Sequence, residues 1–260
     1  MLEARGLTVI RGGKTILDDV SLQMRPGEFL AVIGPNGAGK TTLISALAGT
    51  LSPDAGEVYL DNVPLAAHDA AALARRRAVL PQQSELSFGF DVMDVVLMGR
   101  SPHIGRTEEE EDVSIAQAAL DAAGVAHLCE RQYTTLSGGE RQRVQLARVL
   151  AQIWPSRANE RTRYLLLDEP TNNLDLTHQY HILARARALN GDGASVFAIL
   201  HEPNLAAFHA DRVAILDRGR IVAEGTPREV LTEERLSALY GIDLRVLEHP
   251  ARGCPQIFVA

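Results

Sequence analysis

The chain has 260 residues, 46% hydrophobic content and a formal net charge of −7. That length supplies one large domain or two small ones with a sizeable core, and the acidic balance argues against general nucleic-acid binding. The two cysteines, Cys129 and Cys254, lack a redox or metal-type spacing and read as reduced thiols, while no signal peptide and no apolar run near the roughly 18 residues needed to span a bilayer can be read.

In chain order, the first third reads as β-rich. "LEARGLTVI" and "TILDDVSLQM" alternate apolar and polar residues about a turn at Gly12-Gly13. Pro26-Gly27 punctuates before a short apolar strand, "EFLAVIG", and a glycine loop then opens a helix, "KTTLISALAGT". "GEVYLDNVPL" reads as another hairpin piece. From about Ala66 to Ile153 the pattern is mostly helical. Within it "RTEEEEDVSIAQAALDAAGV" predicts a helix with Thr107 as N-cap and the acidic run Glu108 to Asp112 in its first turn, where the helix dipole favours it. Beyond Arg163 the apolar strands "YLLLD", "SVFAIL" and "RVAILD" alternate with helical stretches, and "DRGR", Asp217 to Arg220, predicts a hairpin turn into "IVAEG". Such alternation implies a largely parallel, covered sheet.

The loop "GPNGAGKTT" has P-loop spacing: Gly34, Pro35, Asn36, Gly37, Ala38 and Gly39 lead to Lys40, Thr41 and Thr42, between a strand and a helix. Glycines let backbone N–H groups wrap phosphate oxygens, and the helix N-terminus adds a favourable dipole. Lys40, one of only two lysines, can reach β- and γ-phosphates, and Thr41 can ligate Mg²⁺. "YLLLDEP" ends a strand at Asp168, a carboxylate suited to holding Mg²⁺ near the P-loop. Glu169 follows and is free for a different task, polarising a water for in-line attack. "SVFAILHEP" ends a further strand near His201, suggesting a γ-phosphate contact. Gln82, in "VLPQQ", sits where the β-rich part gives way to the helical part and suits a hinge that senses Mg²⁺. His178 and His181, spaced i, i+3, read as a solvated helix face rather than a metal pair.

"LSGGERQRV", Leu136 to Val144, is a puzzle. Two adjacent glycines, Gly138 and Gly139, open a helical pattern, although each costs about 1 kcal/mol relative to alanine inside a helix. Ser137 and Glu140 stand at capping-box spacing. One physical reason for bare glycines there is the close approach of something to that backbone.

These stretches together resemble the ATP-binding cassette family over nearly the whole chain. "GPNGAGKTT" is similar to its Walker A, "LPQ" to its Q-loop, "LSGGERQRV" to its signature, "LLLDEP" to its Walker B, "NNLD" to its D-loop and His201 to its switch histidine, all in the family's order. The resemblance implies an α/β P-loop NTPase (RecA-like) core with an N-terminal antiparallel β subdomain and an inserted α-helical subdomain. One nucleotide-binding domain would fill residues 1–260, with core and β subdomain at about 1–83 and 159–260 and the helical subdomain at about 84–158. It also implies ATP with Mg²⁺, catalytic roles for Glu169, His201 and Gln82, and metal ligation by Thr41, Gln82 and Asp168. The nucleotide would further meet Ser137, Gly138, Gly139, Glu140 and Asp175, the signature of one subunit closing over the ATP of the other in a head-to-tail homodimer.

Lacking membrane helices and a second cassette, the chain resembles an importer's peripheral ATPase. It would sit on the cytoplasmic side of the cell inner membrane under two copies of a multi-span permease, which a periplasmic substrate-binding protein feeds. Gln82 and Asp91 to Arg100 would flank the groove that receives a permease helix. "FDVMDVVLMGRSPHIGR" and "NNLDLTHQ" resemble the large-importer branch, which moves iron-siderophores, cobalamin and haem. The polar insertion "IWPSRANERTR" before Walker B resembles haem importers in particular, with a ferric-siderophore or cobalamin importer as the alternative. Two departures stand out: Arg11 occupies the place of a usual adenine-stacking aromatic residue, and Glu202-Pro203 follows the switch histidine in place of a more usual acidic-apolar pair.

Overall fold

The computed structural model describes residues 1–82, 89–105, 109–154, 162–172 and 174–260. They divide into two units, Met1–Ala67 with Ser195–Ala260, and His68–Ala194. Thr107, Glu108, Asn173 and most of the "IWPSRANERTR" stretch lie outside the described residues.

In the first unit, strands Leu2–Arg11 (β1) and Lys14–Met24 (β2) pair antiparallel. Gly12 and Gly13 join them at φ 58° and 74°, the backbone a tight two-residue hairpin turn requires. Phe29–Ile33 (β3) is buried at every residue, as a strand covered on both faces must be. Helix Lys40–Leu47 (α1) follows the glycine loop. Ala55–Leu60 (β4) then pairs with β1, and Val63–Pro64 (β5) folds back on β4. Asp61 and Asn62, both with positive φ, make that turn, a conformation their short polar side chains tolerate. This antiparallel sheet is the β subdomain that the family resemblance implies.

The second unit begins with helix Ala70–Ala74 (α2), capped by Asp69, and strand Arg77–Leu80 (β6). Helices Val92–Leu97 (α3), Glu109–Ala122 (α4) and Gly138–Gln152 (α5) form its helical part. Arg163–Asp168 (β7), fully buried, pairs parallel with β6, and helix Leu176–Ala188 (α6) follows. Sequence pattern missed β6, because four residues are too few for alternation to stand out in a helical stretch.

The C-terminal end of α5 is held by three cationic or titratable side chains. Arg100 donates from Nη1 to the carbonyl of Ala151 at 2.8 Å, His103 from Nε2 to that of Gln152 at 2.9 Å, and Arg163 from Nη1 to that of Ile153 at 2.8 Å. The last carbonyls of a helix have no intrahelical donor, and positive charge suits that end of the dipole. Gly99 makes the arrangement possible, since a Cβ there would lie 2.2 Å from the carbonyl oxygen of Arg148. Arg100 also donates from Nε to Asp112 at 2.8 Å and is only 3% exposed. It was expected to flank a docking groove; instead its side chain is an internal cap.

The chain returns to the first unit through Ala194–Ile199 (β8), helix Pro203–His209 (α7), and strands Arg212–Asp217 (β9) and Arg220–Gly225 (β10). β3 pairs parallel with both β8 and β9, and β10 turns back antiparallel on β9 through Arg218 and Gly219, as "DRGR" predicted. Helices Pro227–Val230 (α8) and Glu233–Tyr240 (α9) and a hairpin of Leu244–Glu248 (β11) and Pro255–Val259 (β12) complete it. Among the described residues no helix is long and apolar enough to cross a membrane.

Candidate functional site

In the first unit the loop from Gly34 to Gly39 joins β3 to α1 and has the backbone of a phosphate cradle. Gly34 has φ 155°, and a Cβ there would lie 2.0 Å from the carbonyl oxygen of Leu216. Gly39, at φ 104°, would put one 2.8 Å from that of Ile16. Gly37, at φ 79°, faces open space, and Asn36 beside it is exposed. The loop is pinned from below: Gly219 N–H donates to Ala38 at 3.0 Å, and Ala38 N–H to Pro35 at 3.2 Å. α1 begins without a side-chain cap or an acidic residue in its first turn, so its end presents bare positive dipole. Lys40 is buried to 5% exposure and donates from Nζ to the carbonyls of Gly34 at 2.8 Å and Pro35 at 3.0 Å. Thr41 is exposed beside it and Thr42 half-buried. This donor set fits a polyphosphate.

His201 lies two residues beyond β8, exposed. Glu202-Pro203 starts a helix. Glu202 is the N-cap residue of α7 and Pro203 opens its first turn, where a missing N–H is no loss and the fixed φ suits the helix. Arg11 lies at the tip of the β1–β2 hairpin, 3.4 Å from Asp54.

In the second unit β7 ends on two buried acids, Asp168 at 6% exposure and Glu169 at 8%. The Asp168 carboxylate is a hard oxygen donor of the kind that fits Mg²⁺, as is the Thr41 hydroxyl in the first unit. Glu169 has φ 50°, a left-handed conformation costing of order 1–3 kcal/mol for a residue of its kind. Its carboxylate is clasped: Gln82 Nε2 and Asn172 Nδ2 both donate to Oε2, the latter at 3.0 Å, and Asn172 N–H closes the turn onto the Glu169 carbonyl at 3.2 Å. Hydrogen bonds to a charged group contribute about 1.5–3 kcal/mol each, enough to hold the strained turn. Gln82, which the family resemblance implies at the metal, here donates to the Glu169 carboxylate. Asn172 was missed, although an amide three residues after a strand-end acid is the available signal.

Further along, Ser137 caps α5 as the spacing predicted. Its Oγ accepts from Glu140 N–H at 3.3 Å, and the Glu140 carboxylate accepts from Ser137 N–H at 2.8 Å. That backbone donor holds the Glu140 carboxyl below the usual range. Gly138 has nothing within 4 Å of where a Cβ would stand, and Gly139 meets only Leu174 Cδ2 at 3.5 Å. Neither has a positive φ. Asp175 caps α6, accepting from His178 N–H at 2.9 Å, which lowers its pKa, and the His178 ring donates from Nδ1 to the same oxygen.

A glycine cradle ahead of an uncapped helix and a buried lysine define a P-loop nucleotide-phosphate site. Residues 17–172 match the ABC transporter family, and the chain belongs to it as one of its ATPases. Over 257 residues the chain is 52% identical to the hemin import ATP-binding protein HmuV of Gloeobacter violaceus, covering 99% of this chain and 93% of the relative. In structure it resembles a chain of an inward-facing ABC transporter described as of metal-chelate type, with TM-score 0.82 and 28% identity over 100% of this chain and 96% of the other. It also resembles a bacterial ABC transporter cassette solved as a dimer, with TM-score 0.75 and 27% identity over 87% of this chain and 98% of that one. Cassettes of this family dimerise and pair with a transporter permease.

Proposed function

We propose that this chain is the ATP-hydrolysing subunit of a haemin importer, working as a head-to-tail homodimer bound to two permease subunits on the cytoplasmic face of the inner membrane. The observation that carries the dimer is the bare start of α5. Gly138 and Gly139 have neither a left-handed backbone nor an internal neighbour that excludes a side chain. Nothing among the described residues demands glycine there, which supports a demand from outside, and the partner's γ-phosphate suits a positive helix end. The cargo reading rests on the 52% identity to a hemin import protein.

When bound, ATP supplies the phosphoanhydride to be cleaved and Mg²⁺ neutralises its charge. In this reading Lys40 leaves its loop carbonyls for the phosphates, and the loop amides wrap them. Thr41, Asp168 and Gln82 would supply oxygen ligands to the metal, and His201 and the signature residues Ser137 to Glu140 would serve the terminal phosphate. Asp175 meets the partner's nucleotide. Glu169 accepts a proton from water once Gln82 releases its carboxylate. Cargo selectivity lies in the permease and the periplasmic binding protein that feeds it, so free haem should leave the isolated ATPase almost unaffected. The test is the complex in proteoliposomes, offered haem, a ferric siderophore or cobalamin with the cognate binding protein. ATP-driven accumulation of haem is expected; accumulation of a siderophore instead would overturn the cargo and leave the ATPase standing.

A further inference from the structure

A cavity of about 290 Å³ in the second unit plays no part in the chemistry above. Arg143 of α5 and His181 and Arg185 of α6 line it, against an apolar wall of Leu146 and Ile182. His181 and Arg185 stand at i, i+4 and so share one helix face. The lining includes no carboxylate. Arg143 Nε is buried and has no hydrogen-bond partner among the described residues. The acids that feel Arg143, Glu140 and Asp175, are outside the lining, and each already accepts a backbone N–H. The dipole of α6 accounts for Arg185 near its C-terminal end, but not for His181 in mid-helix nor for Arg143 early in another helix.

We propose that this cavity binds a small oxyanion of the phosphate class. Two guanidinium groups present planar forks of N–H donors, the geometry that recognises tetrahedral oxyanions, and the imidazole adds a third donor. The volume admits inorganic phosphate or a small phosphomonoester. Gly124, also in the lining, has nothing within 4 Å of its missing Cβ, which leaves room for a small ester group. The site would let the cytoplasmic phosphate pool act on the helices that carry the signature and follow the D-loop.

The P-loop also binds phosphate, so the test begins with the full chain saturated by a non-hydrolysable ATP analogue. Inorganic phosphate, glycerol 2-phosphate and AMP are then titrated calorimetrically at constant ionic strength. One saturable site is expected for at least one of them. Its affinity should fall roughly ten-fold or more in the Arg185→Gln/His181→Gln double variant, and by less in Arg185→Lys, which keeps the charge and loses the fork. Both positions are exposed, so circular dichroism should show an intact fold. Selenate soaked into crystals should give an anomalous peak between Arg143 and Arg185. Absence of any saturable site, or an affinity unchanged in the double variant, would overturn the proposal. The free phosphate and the monoesters distinguish an inorganic ligand from a phosphorylated metabolite.

Discussion

At the scale of single residues the proposed chemistry turns on Glu169. A carboxylate in a left-handed turn, held by two amides on one oxygen, is poised and restrained at once. Glu169→Gln should leave ATP binding largely intact and slow hydrolysis by roughly 10²–10⁴-fold, the range of a lost general base. It should also accumulate an ATP-bound dimer on size-exclusion chromatography; near-normal turnover would remove Glu169 from the role. The two acids themselves were legible in "LLLDEP", at the end of an apolar strand in a chain that also carries P-loop spacing. The clasp was not legible, since Gln82 and Asn172 reach the same oxygen only through the fold.

At the scale of elements, α5 shows two ends under opposite demands. Its start sacrifices helix propensity and recovers about 1 kcal/mol from the capping box, which offsets one glycine and not both. Gly139→Ala should therefore raise stability to unfolding by up to about 1 kcal/mol while ATPase activity falls, since the new Cβ has room inside the chain and none against a partner. A loss of both would point to packing instead. The other end of α5 depends on buried groups. Arg100→Glu should cost about 3–5 kcal/mol in urea unfolding, because it removes the buried donor to the Ala151 carbonyl and sets a like charge beside Asp112; an unchanged midpoint would refute the cap.

Burial lowers the His103 pKa below its usual 6.5, a stronger influence than the Gln152 carbonyl that raises it, with Arg100, Asp112 and Arg75 nearby. Between the two values the unfolded chain binds the extra proton, so stability is retained above pH 6.5 and lost as pH falls below it. Comparing urea midpoints at pH 7.5 and 5.5, His103→Gln should lose less on acidification than the unsubstituted chain. Sequence pattern placed the helix of α5 and its N-cap correctly. It gave no hint of this C-terminal end, because two of its three caps come from residues some 50 positions earlier, brought there by Gly99.

For the whole molecule, the long apolar strands and the hairpins were readable because each carries its own periodicity or turn residues. The stretch after Gly225 was not, since α8 has four residues and the β11–β12 hairpin lacks clean alternation. The proposed homodimer would use what the fold leaves open: glycines without an internal neighbour at one place and a phosphate cradle at another. Isolated chains should therefore be monomeric without nucleotide and dimeric when Glu169→Gln is supplied with ATP and Mg²⁺, as sedimentation would report. Persistent monomers would contradict the composite site.

The lysine folded onto its own loop has a further consequence. Because Lys40 already donates to Gly34 and Pro35, a nucleotide does not find a vacant cation; it must displace two internal acceptors. Arrival is thus an exchange, and its net gain grows with the number of phosphate oxygens offered in return. A molecule ending at its first phosphate forfeits most of that return while still disturbing the same two carbonyls. The loop is in this way a counter of phosphates, ranking ATP above AMP before any contact with the base is made.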